Sequence, residues 1–406
     1  MSRRLFLKQI AAAALATAAA NPYAQSAGQP HGKHRLRVGV AGGGIVGASI
    51  AYHLARAGAQ VTLFEKAQPG SGATQNSFAW LNAFVEHPEY RALRLSSLMA
   101  YHELDHALKL GIVWGGYTNW ARTPDEVTVL RESAAQLQAT KFPVRAISAA
   151  ELVAMSPGLV TGEVAAAFFS TIDGHLNPVA VTRRFLAAAQ KRGAVVQLNT
   201  AITGLDFTGG ALAGVHTANG PVTLDKLVIA GGVDTPALLA MAGFTLQLKH
   251  GPGILAHSKP AAIATRIIYD TPGTLSFKQM ADGSIVGTDA PSPPDLPLHR
   301  EIRDHAVAFP SKDLADLHGK RILAKIGAIL PAARGVQLDR LTLGFRPLPT
   351  DELPVVGLVP GLTDVHVAVM HSGVTLAPIV GRYMAQEVLS GARVDALAPF
   401  RPERFS

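Results

Sequence analysis

The fold is set between residues 36 and 65, where the chain reads LRVGVAGGGIVGASIAYHLARAGAQVTLFE. Leu36 to Val40 has the apolar character of a short buried strand, and the apolar spacing that follows predicts a helix through about Ala57. Gln60 to Phe64 is predicted as a second buried strand, which delivers Glu65. This order of strand, glycine-rich turn, helix and strand predicts a βαβ unit with a parallel sheet.

The turn between the first strand and the helix carries the spacing G-x-G-x-x-G. Gly42 permits a tight turn, Gly44 lets the main chain approach a pyrophosphate, and Gly47 lets the helix pack closely on the strand. The helix N-terminus at Ile45 and Val46 offers N–H groups and a partial positive charge to the phosphates. The pattern therefore predicts a dinucleotide site, but it does not distinguish FAD from NAD.

A second loop of small residues, Gly70 to Ser77, follows soon after Glu65. We expect Glu65 to accept hydrogen bonds from the adenosine ribose hydroxyls, and the adjacent Lys66 to be a further cofactor contact. The loop can place main-chain amides and hydroxyls along a second phosphate and a ribityl chain, through Ser71, Gly72, Ala73, Thr74 and Ser77. Because an ordinary polar connection has a similar sequence, this loop favours FAD without requiring it.

Length and composition exclude several classes of protein. The 406 residues suggest a cofactor domain and at least one further domain, and 48% hydrophobic with 16% charged residues is typical of a well-packed globular chain. The formal charge of +8 is modest, and without a basic run or a nucleic-acid module it indicates a solvated surface and no nucleic-acid partner. No metal site is predicted.

The first residues, Ser2 to Lys8, read SRRLFLK and precede an alanine-rich apolar stretch from Ile10 to Ala20. This segment resembles a bacterial twin-arginine (Tat) signal peptide, and the apolar stretch is too short to span a membrane. Residues 1–24 are therefore predicted as a signal, with cleavage after Ala20 or Ala24. The chain has no cysteine, which fits export of a protein that folds around its cofactor first. We expect a periplasmic or otherwise exported protein without an integral membrane span, and membrane association is left open.

The C-terminal third carries the most specific pattern. It reads GFRPLPTD from Gly344, LPVVG from Leu353, HSGVTLAP from His371 and PFRP from Pro399. With the two loops, these segments make the chain resemble the D-amino acid oxidase family of flavoenzymes, which includes glycine oxidase, sarcosine oxidase and D-amino acid dehydrogenase. The resemblance covers essentially Leu36 to Phe405.

The resemblance implies noncovalently bound FAD, since Asn76 stands where related dehydrogenases carry a histidine for covalent attachment and no cysteine is available for the sarcosine oxidase linkage. It implies that the helix after His371 aims its N-terminus at the flavin pyrimidine and stabilises the reduced flavin. The further cofactor contacts that it implies are Ile202, Gly231, Gly373, Val374 and Thr375.

The resemblance also implies hydride transfer from the substrate carbon to flavin N5, so that little acid or base chemistry is required of the protein. Arg346 matches the position at which glycine oxidase places an arginine for the substrate carboxylate. Ser276 or its neighbours replace a glycine oxidase tyrosine, which indicates a different substrate pocket. Phe78 and Trp80 are candidates to line the pocket, or are core residues. Lys278 and His250 are weaker candidates for the flavin's surroundings, Asp351 is interpreted as structural, and Asn177 with Pro178 as a helix start.

These observations predict an α/β fold with a Rossmann-like, glutathione reductase-like FAD domain and an antiparallel-sheet substrate domain. The FAD domain is predicted to be discontinuous, over residues 35–110, 150–245 and 335–400, and the substrate domain to comprise 111–149 and 246–334. The expected function is FAD-dependent oxidation of a D-amino acid or related amine to an imine and then a 2-oxo acid, with oxygen or a quinone as electron acceptor. Oxidation of a secondary, N-methyl amine is the enzyme alternative, and a non-catalytic flavin-binding relay subunit is the alternative of another class.

Overall fold

Strands and helices were assigned in a computed structural model, which describes residues 35–139, 142–249, 251–262, 264–272, 275–289 and 311–406. In chain order the strands are β1 (Arg37–Ala41), β2 (Gln60–Phe64), β3 (Trp80–Leu81), β4 (Tyr117–Ala121), β5 (Val144–Ile147), β6 (Ala166–Ser170), β7 (Gly174–His175), β8 (Val195–Gln197), β9 (Ile202–Thr208), β10 (Ala211–Thr217), β11 (Gly220–Thr223), β12 (Lys226–Ile229), β13 (Leu248–Lys249), β14 (Pro252–Ser258), β15 (Ile268–Asp270), β16 (Leu275–Gln279), β17 (Ile285–Asp289), β18 (Leu338–Phe345), β19 (Leu348–Pro349), β20 (Val355–Leu358) and β21 (Val365–Val369). The helices are α1 (Ile45–Arg56), α2 (Pro88–Leu108), α3 (Pro124–Ala139), α4 (Ala149–Met155), α5 (Pro178–Gln190), α6 (Thr235–Met241), α7 (Lys312–Ile329) and α8 (Gly373–Ser390).

A six-stranded sheet forms the first half of the fold, in the order β20-β21-β12-β1-β2-β8. Its strands are parallel except at the edge pair β20–β21. Helices α1 and α8 pack together so closely that a Cβ on Gly381 would collide with Ser49. The six-stranded sheet also packs against the sheet β11-β10-β9, through a shared apolar core that includes Ile229, Val215 and Val367. The predicted Rossmann-like α/β unit is confirmed.

An eight-stranded sheet forms the second half, in the order β18-β14-β17-β16-β15-β4-β6-β5. Every pair is antiparallel except β15 with β4. One face packs on α7 and α4, where Phe277, Ile322 and Leu152 are fully buried. The alternation along β16 places Ser276 and Lys278 on the opposite face, because Leu275 and Phe277 occupy the core face.

Strands β6 and β18 belong to this eight-stranded sheet, although they fall within the ranges predicted for the FAD domain. Residues 37–406 cluster as one compact unit, so the division into two domains stays a prediction. The predicted signal segment, with Arg3 and Arg4, lies outside the described residues. In the part of the chain that is described, no helix combines the length and apolar character that a membrane crossing needs.

Candidate active site

A cavity of about 1020 Å³ extends from the carboxyl ends of β1, β2 and β12 to the open face of the eight-stranded sheet. A dinucleotide site is expected at this edge of a parallel sheet, and the volume is at the upper end of the roughly 300–1,000 Å³ typical of ligand pockets. The structure brings sixteen of the predicted cofactor contacts together around it, namely Gly42, Gly44, Ile45, Val46, Glu65, Lys66, Ser71, Gly72, Ala73, Thr74, Ser77, Ile202, Gly231, Gly373, Val374 and Thr375.

Gly47 is the predicted contact that does not line the cavity. A Cβ at this position would collide with the carbonyl oxygen of Gly42, which itself has φ +114°. The glycine is therefore needed for close packing of α1 on the turn, as the sequence predicted, and Gly42 for a main-chain conformation that other residues rarely adopt.

The start of α1 is tied to the second loop, because the Ile45 amide donates to the Thr74 hydroxyl at 3.1 Å. Gly44, the N-cap, provides no side chain, so the cavity reaches the main chain of the helix start. A phosphate at this point would meet main-chain donors and the positive end of the helix dipole. This open, glycine-lined surface fits a pyrophosphate.

The Glu65 carboxylate is held by two main-chain amides, from Gly43 at 2.6 Å and Ala67 at 2.8 Å. These bonds fix its orientation at the cavity wall, where further lone pairs can accept from ribose hydroxyls. Lys66 also lines the cavity and forms an ion pair with Asp234 at 2.7 Å. The adenosine end is thus pre-organised, and the role of Glu65 toward the ribose stays a prediction.

Helix α8 begins beside the cavity at Gly373, and its second turn is interrupted by Pro378. Since proline lacks an N–H, the local helix ladder is incomplete. Tyr101 on α2 donates to the Val374 carbonyl that this gap leaves free, and the Ser97 hydroxyl bridges the next pair of groups, donating to the Thr375 carbonyl at 2.6 Å and accepting from the Ile379 amide at 3.4 Å.

Arg94, one turn before Ser97, connects the start of α8 to the cavity wall. Its guanidinium donates to the hydroxyl of Ser372, the N-cap of α8, and to Asn82 Oδ1 at 2.9 Å. The side chain is buried and has no carboxylate partner among the described residues. It therefore adds an uncompensated positive charge beside the helix N-terminus, where the flavin pyrimidine is expected.

The substrate end has an aromatic wall. Trp80 and Phe84 line the cavity, and Trp80 stacks on Tyr117 with ring centroids 4.6 Å apart. Behind this wall, the Trp80 indole N–H donates to Asp173 at 2.8 Å. Burial raises the pKa of the Asp173 carboxyl to about 7, against the opposing effect of hydrogen bonds from Ser170 and Trp80.

Arg346 lines the cavity as predicted. Its Nε and Nη2 donate to the carbonyls of Gly251 and Pro252, both at 3.3 Å, and it forms no ion pair with a described carboxylate. The pKa of the neighbouring His371 is lowered to about 4, first by burial and then by the positive charges of Arg346 and Arg94. This end of the cavity is consequently positive and suited to an anionic group such as a carboxylate.

Ser276, Phe78 and Trp80 line the cavity, as the sequence suggested. Lys278 lies beneath the cavity and is fully buried. Its Nζ is 3.2 Å from the Ala79 carbonyl and 5.0 Å from the Phe78 ring centroid. Burial lowers the pKa of Lys278 well below the ordinary value. Asp351 is remote and pairs with Arg404, while His250 lies outside the described residues.

Sequence reasoning missed Arg94, Tyr117 and Asp270. It also interpreted Asn177 and Pro178 as an ordinary helix start, which is correct because the Asn177 side chain caps α5, but it gave no role to the nearby buried Asp173. For Asp270 the available signal was an acidic residue at the end of an apolar strand, whereas Arg94 on α2 and Asp173 outside any strand carry no such signal.

The fold, the glycine-rich turn and the cavity define a dinucleotide-binding protein. The family model "FAD dependent oxidoreductase" (DAO) matches residues 37–387, so the chain belongs to this family. The protein is an FAD-dependent amino acid or amine oxidoreductase, and the residues around the cavity fit the cofactor.

Three comparisons illustrate the relationship. The chain is 28% identical to glycine oxidase of Bacillus licheniformis over 379 residues, with 90% of this chain and 96% of that protein covered. It is 25% identical to an opine oxidase subunit of Agrobacterium tumefaciens (strain Ach5) over 383 residues, with 90% of this chain and 96% of that protein covered. The crystal structure of glycine oxidase from Bacillus cereus ATCC 14579 superposes with a TM-score of 0.77 at 22% identity and covers 90% of this chain and 98% of its own.

Proposed function

We propose that the protein oxidises a D-amino acid or a related amino-acid-like amine to an imine, which water hydrolyses to a 2-oxo acid and ammonia. The observation that carries this proposal is Arg346, a guanidinium at the cavity wall without a described carboxylate partner. A substrate carboxylate would supply the missing anion through a charge-assisted hydrogen bond.

The cofactor and the side chains around the cavity have separate roles in the proposed reaction. FAD, when bound, supplies a two-electron acceptor. Arg346 holds the carboxylate, and the aromatic wall of Trp80 and Phe84 packs against the rest of the substrate and excludes water. Arg94 and the N-terminus of α8 stabilise negative charge that develops on the cofactor.

Oxidation of a secondary amine, such as an N-methyl amino acid, is the second candidate. The stacked rings of Trp80 and Tyr117, with Phe84 beside them, form an apolar surface that would accept an N-alkyl group. The same arginine would hold the carboxylate, so the two candidates differ only in the group on nitrogen.

A non-catalytic relay subunit is the candidate of another class, and one relative is itself named as a subunit. Retention of both the arginine and the start of α8 at one cavity favours an enzyme. A relay would need neither a carboxylate-binding group nor a substrate-sized space.

Anaerobic mixing of the purified holoprotein with a panel of D-amino acids, L-amino acids and N-methyl amino acids tests these proposals. Bleaching of the flavin absorbance by a primary D-amino acid supports the first, and bleaching only by N-methyl compounds supports the second. If no amine bleaches the flavin while a reduced partner protein does, the relay proposal replaces both.

We further propose export through the Tat machinery to the periplasm, with oxygen or a membrane quinone as the electron acceptor. The twin-arginine pattern SRRLFLK supports this route. Replacement of both Arg3 and Arg4 by lysine should retain the protein in the cytoplasmic fraction. Stopped-flow reoxidation with oxygen and with a soluble quinone would identify the acceptor.

A further inference from the structure

A row of polar side chains crosses the open face of the eight-stranded sheet below the substrate end of the cavity. Thr288, Ser276, Asp270 and Asn119 occupy directly paired positions on the adjacent strands β17, β16, β15 and β4. Ser276 and Thr288 line the cavity. The strand register therefore carries a line of hydrogen-bonding groups from the cavity to the carboxylate of Asp270.

The Asp270 carboxylate is held by two hydroxyls and by no described cation. Ser276 Oγ donates to Oδ1 at 2.8 Å, and the Tyr117 hydroxyl donates to Oδ2 at 3.3 Å. The Ser276 oxygen retains lone pairs that can accept a hydrogen bond from a ligand in the cavity. A partly buried carboxylate without a cation partner is costly, so this site favours a positively charged ligand.

The charges facing Asp270 come from several elements. Tyr117 on β4 lies between Asp270 and Asp173. Burial raises the pKa of Tyr117, and the two carboxylates raise it further, so the phenol keeps its proton and remains a donor. On β16, Lys278 has a pKa well below its ordinary value because it is fully buried. His175 on β7 likewise has a lowered pKa through burial and then Lys278. The side of the cavity at Ser276 and Asp270 is thus acidic, whereas the end at Arg346 is basic.

We propose that Ser276 and Asp270 bind the ammonium group of the substrate and remove its proton before oxidation. This inference rests on the proposed amino acid or amine substrate, whose carboxylate would bind Arg346. A zwitterion would then lie with its negative end at the guanidinium and its positive end at the serine and aspartate.

The proposed proton transfer involves only the substrate ammonium, Ser276 and Asp270. Ser276 Oγ accepts a proton from the substrate ammonium and gives its own proton to Asp270 Oδ1, so the N–H bond breaks and a carboxyl O–H forms. The substrate nitrogen becomes neutral, and its lone pair then assists departure of the hydride from the neighbouring carbon. Asp270 is deprotonated again by solvent after the product leaves. Burial raises the pKa of Asp270, which suits a proton acceptor, while the hydrogen bonds from Ser276 and Tyr117 oppose this effect.

The test uses FAD-loaded wild type, Asp270→Asn and Ser276→Ala. Asp206→Asn is the matched control, since Asp206 pairs with the exposed His216 outside the cavity. Acetate, which carries a carboxylate alone, is titrated by its perturbation of the flavin spectrum. The best-reducing compound of the amine panel is then followed by anaerobic stopped flow from pH 6 to pH 10.

Both cavity variants should bind acetate like the wild type but bind the amine about 10- to 100-fold more weakly, as expected for loss of a charge-assisted hydrogen bond. The rising limb of the reduction rate against pH should move to higher pH in Asp270→Asn, because the amine must then lose its proton to solvent. Ser276→Ala tests the same proposal if the asparagine variant does not retain FAD.

Equal amine affinity and an unshifted pH profile in the variants would overturn this inference and leave the proposed function in place. If no amine reduces the wild-type flavin, the proposed function fails first and the inference falls with it.

Discussion

The Tyr101 hydroxyl donates a hydrogen bond of 2.5 Å to the main-chain carbonyl of Val374. This is the carbonyl that Pro378, four residues further along α8, cannot bind because proline has no N–H. A buried side chain of α2 thus completes the helix whose N-terminus lines the cavity. Together with Ser97 and Arg94, it makes α2 a support for the first turn of α8.

Tyr101→Phe should leave the Val374 carbonyl buried without a partner and lower the free energy of unfolding by about 1–3 kcal/mol. FAD affinity should fall as well, since the start of α8 is less well held. Urea unfolding and flavin titration of the apoprotein measure the two effects. Tyr383→Phe, on α8 itself but only partly buried, is the control, and equal stability of both variants would contradict the supporting role.

Arg346→Leu should raise KM for carboxylate substrates about 10- to 100-fold while FAD remains bound, because a charge-assisted interaction with substrate is lost. Arg340→Leu is the control, since Arg340 lies on β18, the strand that immediately precedes Arg346, but is exposed and paired with Asp339. Steady-state kinetics with the best substrate of the panel provide the measurement. Unchanged kinetics in the first variant would remove Arg346 from the substrate site.

Gly47→Ala should yield a poorly stable, colourless protein, because the new methyl group would collide with the main-chain carbonyl of Gly42. Gly204→Ala is the comparison, since a Cβ there makes an ordinary contact of 3.4 Å with the partly exposed His216 ring. The ratio of flavin absorbance to protein absorbance after purification measures retention. A yellow Gly47→Ala protein would mean that α1 and the turn can separate at little cost.

The buried Asp173 should make stability depend on pH. Its folded pKa of about 7 lies above the ordinary value of 3.8, so the folded state binds the proton more tightly than the unfolded state. The resulting stabilisation is present in full below about pH 4 and is lost as the pH rises through 7. The stability of the wild type relative to Asp173→Asn should therefore fall between pH 4 and 7 and remain constant above. Urea unfolding at pH 5 and pH 8 tests this, and a pH-independent difference would show that the carboxyl is ionised throughout.

The amino-acid sequence by itself determined the nucleotide-binding half of the protein. Gly42, Gly44 and Gly47 act through the main chain within one turn, and Glu65 follows one short strand later, so local spacing is sufficient to specify their arrangement. Arg346 and the segment from Gly373 were identified through their resemblance to a family, since nothing local links them to the first strand.

The tertiary structure alone decided which side chains meet at the end of the cavity where the substrate is proposed to bind. Asp270, Ser276 and Tyr117 meet because β15, β16 and β4 pair in one register, and Arg94 reaches Ser372 because α2 packs on α8. Such contacts join residues far apart in the chain, and each residue taken singly resembles an ordinary polar position on a strand or helix. Sequence spacing fixes local main-chain geometry, whereas side-chain charge and burial in a cavity depend on which distant strands become neighbours.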